Sequence, residues 1–123
     1  MLSNVDLGRV TPERANAALT AAGCDELIDG LPDGASTEVG EEGSALSGGQ
    51  RQRVALARAL AAETPVLVLH DPTTAVDSVT EAEIALRLKD FRARRTTVVI
   101  TDSPAFRAVA DRVVELDASE VHR

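Results

Sequence analysis

Residues 46–60 read LSGGQRQRVALARAL, and residues 66–77 read VLVLHDPTTAVD. In the first stretch, a serine and two glycines at 47–49 open a predicted helix that continues to about Ala62, with apolar residues at helical spacing. The first N–H groups of a helix lack internal acceptors and carry the positive end of its dipole, and glycine lets an anion approach them. The stretch therefore suits a terminal phosphate, although Ser-Gly-Gly is also typical of a plain helix cap.

The second stretch begins an alternation of short apolar runs and helical patterns. We expect strands at residues 66–69, 97–100 and 113–116, the first two of the type that is buried on both faces. Ser78 with Glu81 forms a capping-box pattern at the start of the helix between the first two strands. A short helix begins after Ser103. Strands that alternate with helices predict a parallel α/β sheet.

The part of the chain before Ser47 is predicted to be helical, without a strand. Thr11 followed by Pro12 is typical of an N-cap and first helical position, and Gly23 is typical of a helix end. We also expect a short helical turn at residues 25–29.

The composition limits the classes of partner. The chain has 123 residues, a net charge of −7 and two aromatic residues, Phe91 and Phe106. Nucleic-acid binding uses positive charge and base stacking, so we expect no nucleic-acid partner. Cys24 is the single cysteine, which is typical of a reducing compartment, and we expect it to be a small buried residue. No run approaches the roughly 20 apolar residues that a membrane span needs.

The stretch at 46–60 closely resembles the signature motif of ATP-binding-cassette (ABC) ATPases. In that family the signature closes over the γ-phosphate of an ATP that the opposing subunit holds. The resemblance therefore implies that Ser47, Gly48, Gly49 and Gln50 contact ATP in trans.

The polar run from Thr37 to Gly43, which lies just before the signature, contains two glycines. Such a run usually forms only a surface connection. It resembles the exporter-type loop that touches the cytoplasmic extensions of transmembrane domains. This favours an exporter over the superfamily ATPases that act on DNA or ribosomes, as does the lack of a long coiled-coil region.

The stretch at 66–77 resembles the Walker B strand and the D-loop, and the resemblance implies that His70 and Asp77 belong to the nucleotide-binding residues. His70 stands where the family has the magnesium-associated aspartate, and Asp71 stands where it has the catalytic glutamate. Imidazole is a poor partner for Mg²⁺, which prefers oxygen ligands. Aspartate is one methylene shorter than glutamate, and a misplacement of about 1 Å can cost on the order of a hundredfold in rate. A shifted frame makes Asp71 the Walker aspartate, but the D-loop spacing then fails.

Residues 97–104 resemble the strand that leads to the switch histidine, and Asp102 occupies that position. A carboxylate repels a phosphate, to which histidine can donate a hydrogen bond. Residues 110–117 resemble the family's closing strand. His70, Asp71 and Asp102 could also suggest a metal site, but transition-metal sites usually have denser ligand spacing, and we assign no metal ligand.

The positions that serve the chain's own ATP are altered, whereas the signature is intact. This pattern resembles the catalytically impaired half of a heterodimeric exporter. It implies a second nucleotide-binding domain as partner, with ATP and Mg²⁺ in the assembled dimer, and transmembrane domains contacted through residues 37–43. The expected location is the cytoplasmic face of a membrane.

The sequence contains no G-x-x-x-x-G-K-[ST] loop, so ATP is not expected to bind tightly to this chain alone. The resemblance implies a partial P-loop-NTPase-like fold, with a helical subdomain at 1–62 and an α/β part at 63–123. We expect either a fragment or truncated product, or a chain whose missing half another polypeptide supplies. A remnant that only associates with another nucleotide-binding subunit remains an alternative.

Overall fold

The structure is a computed structural model that describes residues 11–24 and 47–117. These residues form four helices and two strands, here numbered in chain order. They are α1 (Pro12–Ala21), α2 (Gly48–Ala61), β1 (Val66–His70), α3 (Ser78–Phe91), β2 (Thr96–Ile100) and α4 (Pro104–Val109). The helical turn predicted at 25–29 and the loop at 37–43 lie outside the described residues.

The two strands pair in parallel, as predicted. Val66 is in register with Thr96, and His70 is in register with Ile100. Because α3 connects them, the carboxyl ends of both strands lie at the same edge of the sheet. The ladder continues beyond β1, where the Asp71 N–H donates to the Ile100 carbonyl at 2.9 Å. The α/β fold class is confirmed.

The core is an apolar layer between the helices and one face of the sheet. Helix α1 packs against α2 and α3, and α3 packs against α4. The fully buried side chains include Leu19, Leu60, Ile84 and Cys24. The expectation that Cys24 is a small buried residue is therefore confirmed.

The prediction that β1 and β2 are buried on both faces is wrong for the described residues. Leu67 and Leu69 are buried, but Val66 and Val68 on the other face are 58% and 59% exposed. In β2, Ile100 is exposed in the same way. The apolar run correctly indicated a strand, but only one face of the described sheet is covered by helices.

The third predicted strand, at 113–116, does not form. These residues have no regular structure, and Val114 and Leu116 are exposed. Within residues 47–117, no backbone hydrogen bond joins them to β1 or β2. Side chains hold the segment instead, since Arg107 Nη1 donates to Glu115 Oε1 at 2.7 Å. An apolar run becomes a strand only where a neighbouring strand offers backbone partners.

The helix ends follow the sequence closely except at α3. Thr11 caps α1, and Gly23, at a φ of +77°, follows its end. The predicted capping box of Ser78 with Glu81 is wrong. Asp77 is the N-cap, because its Oδ2 accepts from the Thr80 N–H at 3.1 Å, and Glu81 accepts from the Thr73 hydroxyl.

The side chain of a buried arginine is hydrogen-bonded to the amino ends of both strands. Arg92 is 3% exposed and lies just after α3. Its guanidinium donates to the carbonyls of Thr64 at 2.6 Å, Thr96 at 2.8 Å and Pro65 at 3.5 Å, and to the Thr97 hydroxyl at 2.9 Å. Burial lowers the pKa of Arg92, and the Arg95 charge adds to the effect. The group stays charged because the ordinary pKa of arginine is far above neutral.

Candidate functional site

The start of α2 is held by a reciprocal capping box. Ser47 has extended backbone angles, and its Oγ accepts from the Gln50 N–H at 3.1 Å. The Gln50 Oε1 accepts from the Ser47 N–H at 2.8 Å. A hydroxyl that accepts one bond keeps its own proton. The box therefore fixes the backbone while the Ser47 O–H and the Gln50 Nε2 group are not used in it.

The space in front of this helix start is open. Ser47 and Gly48 are exposed, and a Cβ atom built on Gly48 meets no atom of residues 11–24 and 47–117 within 4 Å. The N–H groups of Gly48 and Gly49 belong to the first helical turn, where no intrahelical acceptor exists. Within the described part of the chain, neither N–H has another acceptor. An anion can therefore approach two unpaired amides at the positive end of the helix dipole.

The two glycines differ in their surroundings. A Cβ built on Gly49 lies 2.4 Å from the Ala75 carbonyl oxygen, closer than real Cβ contacts allow. Gly49 is therefore required for packing against the loop after β1, whereas Gly48 leaves space for a ligand. The sequence does not separate these roles, because the contact with Ala75 depends on the tertiary fold.

His70 and Asp71 lie together at the carboxyl end of β1. His70 Nε2 is 3.4 Å from Asp71 Oδ2, and the His70 side chain is largely exposed. Asp71 has a φ of +46°, in the left-handed region, and its N–H is bound to Ile100. The pair stands where parallel α/β sheets commonly place their ligands.

Asp102 lies two residues beyond β2, at the same edge of the sheet. It borders an open cavity of about 300 Å³. The cavity is lined by Thr73, Thr74, Val76, Glu81, Thr101, Asp102, Ser103 and Pro104. Two of these side chains, Glu81 and Asp102, are carboxylates, so the cavity disfavours a phosphate.

Asp77 is the N-cap of α3. Hydrogen bonds that the Thr80 side chain and then the Thr80 backbone N–H donate to its carboxylate hold the pKa of Asp77 below its ordinary value. The carboxylate is therefore ionised at neutral pH. A contact of Asp77 with nucleotide stays a prediction.

The residues at this edge do not form a metal cage. Among residues 11–24 and 47–117, no group of three His, Cys, Asp or Glu side chains could hold a metal ion. Mg²⁺ prefers carboxylate, phosphate and water oxygens. His70, the last residue of β1, offers an imidazole nitrogen instead. Among the described residues, the start of α2 offers N–H donors to an anion, whereas His70 and Asp71 offer a metal ion one imidazole and one carboxylate.

Sequence reasoning missed Gln52. Its Nε2 donates to the Asp71 carbonyl and to the Thr74 hydroxyl, both at 3.1 Å. Its Oε1 accepts from the Ala75 N–H at 2.9 Å. Gln52 thus joins α2 to the loop after β1. A polar residue in an amphipathic helix is normally expected to face solvent, so no pattern indicated this contact.

The parallel strands and the open helix start define part of a P-loop-NTPase-like α/β domain. The ABC transporter family matches residues 8–74, which is more than half of the chain. The chain belongs to this family and is of the exporter-type nucleotide-binding domain.

Individual relatives agree with this assignment. The multidrug efflux ATP-binding/permease protein of Mycobacterium tuberculosis is 45% identical over 121 residues, which cover 97% of this chain and 10% of the relative. An ATP-dependent lipid A-core flippase of Shewanella oneidensis is 43% identical over 114 residues, which cover 93% of this chain and 19% of the relative. The chain thus spans between about a tenth and a fifth of the length of these relatives.

A solved structure confirms the fold. It is described as a bacterial Atm1-family ABC exporter with ATP bound, with a TM-score of 0.76 and 37% identity to this chain. The match covers 89% of this chain and 20% of that one. In the described part of this chain, no helix is both long enough and apolar enough to cross a membrane.

Proposed function

We propose that this chain supplies the start of α2 to the γ-phosphate of an ATP that a second nucleotide-binding domain holds. The observation that carries the proposal is the open face of Gly48 beside two amides that have no acceptor among the described residues. The exposed Ser47 O–H and the Gln50 amide add donors on the same turn. Donors fixed in advance around a phosphate stabilise the charge that develops there during hydrolysis.

The proposal also implies that this chain's own nucleotide-binding site is catalytically impaired. His70 stands in place of a magnesium-associated carboxylate, and Asp71 has a shorter reach than glutamate toward an attacking water. Asp102 adds a negative charge near the terminal phosphate. Mg²⁺, when bound, neutralises phosphate charge, and the residues at the end of β1 are poorly suited to hold it. The pair would then be a heterodimer in which the partner's ATP is hydrolysed.

The setting of the proposal is a membrane exporter. The relatives' names describe an ATP-binding/permease protein and lipid flippases. We propose that this chain works with transmembrane domains at the cytoplasmic face, that residues 37–43 contact them, and that no nucleic acid is bound. The cofactor is ATP with Mg²⁺ in the assembled dimer.

The test is a complementation assay of ATP hydrolysis. The partner is an exporter nucleotide-binding domain with its own G-x-x-x-x-G-K-[ST] loop, in which its own signature serine is replaced by a bulky residue. Adding this chain is expected to raise the partner's hydrolysis by roughly a hundredfold, because an anion site with donors is restored.

Ser47→Trp is expected to abolish that rise, and Ala55→Trp is the matched control. Ala55 is exposed on the same helix and away from its start, so its substitution should keep the rise. Circular dichroism and size-exclusion chromatography establish that both variants fold and associate. Association without any rise in hydrolysis would contradict the proposal and favour a chain that only associates.

A further inference from the structure

The side chain of Gln52 forms a bridge between α2 and the loop at residues 71–75. One amide group makes three hydrogen bonds to this loop, two as donor and one as acceptor. Its partners are the Asp71 carbonyl, the Thr74 hydroxyl and the Ala75 N–H. A carboxylate would lose both donated bonds, and a thioether would lose all three. Glutamine is therefore suited chemically to this position.

A second contact joins α2 to the same loop at residues 71–75. The Ala75 carbonyl packs against the backbone of Gly49, where a Cβ atom does not fit. Gly49 and Gln52 thus contact one loop from adjacent parts of the first helical turns. The loop is held from its other side as well, because the Asp71 N–H donates to Ile100 of β2.

Arg53, the residue after Gln52, connects the start of α2 to the end of α1. Arg53 Nε donates to the Gly49 carbonyl at 3.3 Å, and its Nη1 donates to the Gly23 carbonyl at 3.1 Å. The start of α2 is therefore tied to α1 through Arg53 and to the loop through Gln52. Rotation of the helix start would break contacts on one side or the other.

We infer that Gln52 is a positioning residue that locks the phosphate-facing start of α2 to the loop at 71–75. The lock makes the two elements move as one body, so the donors at Ser47 and Gly48 keep a set distance from the end of β1. The effect on hydrolysis rests on the proposed function, whereas the lock itself does not. Gln52 acts through the elements it joins, because both the nitrogen and the oxygen of its amide are bound to the loop.

The lock is tested first by hydrogen exchange of the Ala75 amide in the full chain. Gln52→Met has a similar length and removes the acceptor, so Ala75 exchange is expected to accelerate about tenfold. Ala55→Met is the control, since it places methionine at an exposed position of the same helix and should leave Ala75 exchange unchanged. The unfolding transition of each variant shows whether acceleration is local. Unchanged Ala75 exchange in a folded Gln52→Met chain would overturn the lock.

A double-mutant cycle tests the donated bonds. Thr74→Val removes one partner of the Gln52 amide without changing the side-chain shape. If the bond exists, Thr74→Val should destabilise the wild-type chain and have almost no effect when Gln52 is already methionine. Equal effects in both backgrounds would contradict the inference.

The consequence for catalysis is tested in the complementation assay. Gln52→Met is expected to lower the kcat of the partner's ATP hydrolysis by roughly tenfold or more. The KM for ATP is expected to change by less than about threefold. If Ser47→Trp abolishes hydrolysis but Gln52→Met has no effect on kcat, the positioning role fails and the proposed function stands. If this chain never raises hydrolysis, the proposed function fails, and the exchange result still decides the lock.

Discussion

Replacing Gly48 by alanine is expected to leave the chain fully folded and to reduce its support of a partner's ATP hydrolysis by about a hundredfold. A methyl group at this position meets no atom of the described residues within 4 Å. Alanine is also favoured over glycine in helices by up to about 1 kcal/mol. The free energy of unfolding should therefore stay the same or rise. The methyl group would instead occupy the space through which a phosphate approaches the unpaired amides.

Gly49→Ala provides the contrast. Its methyl group would overlap the Ala75 carbonyl oxygen at 2.4 Å, so backbone must move. Overpacking of this kind typically costs about 1–3 kcal/mol. We therefore expect Gly49→Ala to lower both the unfolding midpoint and the hydrolysis, whereas Gly48→Ala lowers hydrolysis alone.

Urea unfolding of the isolated chain and the complementation assay together separate the two effects. Equal destabilisation by both alanines would mean that the helix start is not open at Gly48. Full hydrolysis with a correctly folded Gly48→Ala chain would mean that no phosphate approaches this residue.

Arg92→Met is expected to destabilise the described α/β part by about 3 kcal/mol. The guanidinium donates to three carbonyls and one hydroxyl at the amino ends of β1 and β2. Methionine fills much of the volume but cannot donate any of these four hydrogen bonds. Since small domains are stable by only about 5–15 kcal/mol, the loss is a large fraction of the total.

Denaturant unfolding measures this loss, and two other substitutions sharpen the test. Arg92→Lys keeps a charge but not the planar fork, so it should recover only part of the stability. Arg94→Met makes the same exchange at an exposed position, where effects usually stay within about 0.5 kcal/mol. A loss for Arg92→Met no larger than that for Arg94→Met would show that the buried hydrogen bonds do not stabilise the sheet.

The secondary structure was largely predictable, because its signals are local. The serine cap, the helical spacing after it and the apolar runs at β1 and β2 each depend on residues that are close in sequence. The cap of α3 was assigned one residue too late, since Asp77 and Ser78 are both good caps and Glu81 had an unforeseen partner in Thr73.

The remaining differences depend on contacts between distant parts of the chain. Burial of a strand on both faces needs a layer of helices on each face of the sheet. The described residues supply a layer on one face only. A strand at 113–116 needs backbone hydrogen bonds to a neighbouring strand, and a hydropathy pattern does not show whether they form.

The candidate site was predictable as a set of residues but not as a geometry. The resemblance to the ABC signature points to Ser47, Gly48, Gly49 and Gln50, whose contact with ATP stays a prediction. It could not distinguish the open glycine from the packed one. It also could not find Gln52, whose role depends on three atoms of a loop about 20 residues away.

The most direct measurement follows the amide resonances of Gly48 and Gly49 in the ¹⁵N-labelled chain. The partner is the signature-defective nucleotide-binding domain, further disabled in hydrolysis and loaded with ATP and Mg²⁺. Our account predicts that both amide protons shift downfield when the loaded partner binds, and that the shift is absent with the nucleotide-free partner. Binding of the loaded partner that perturbs other residues while both glycine amides stay unchanged would contradict it.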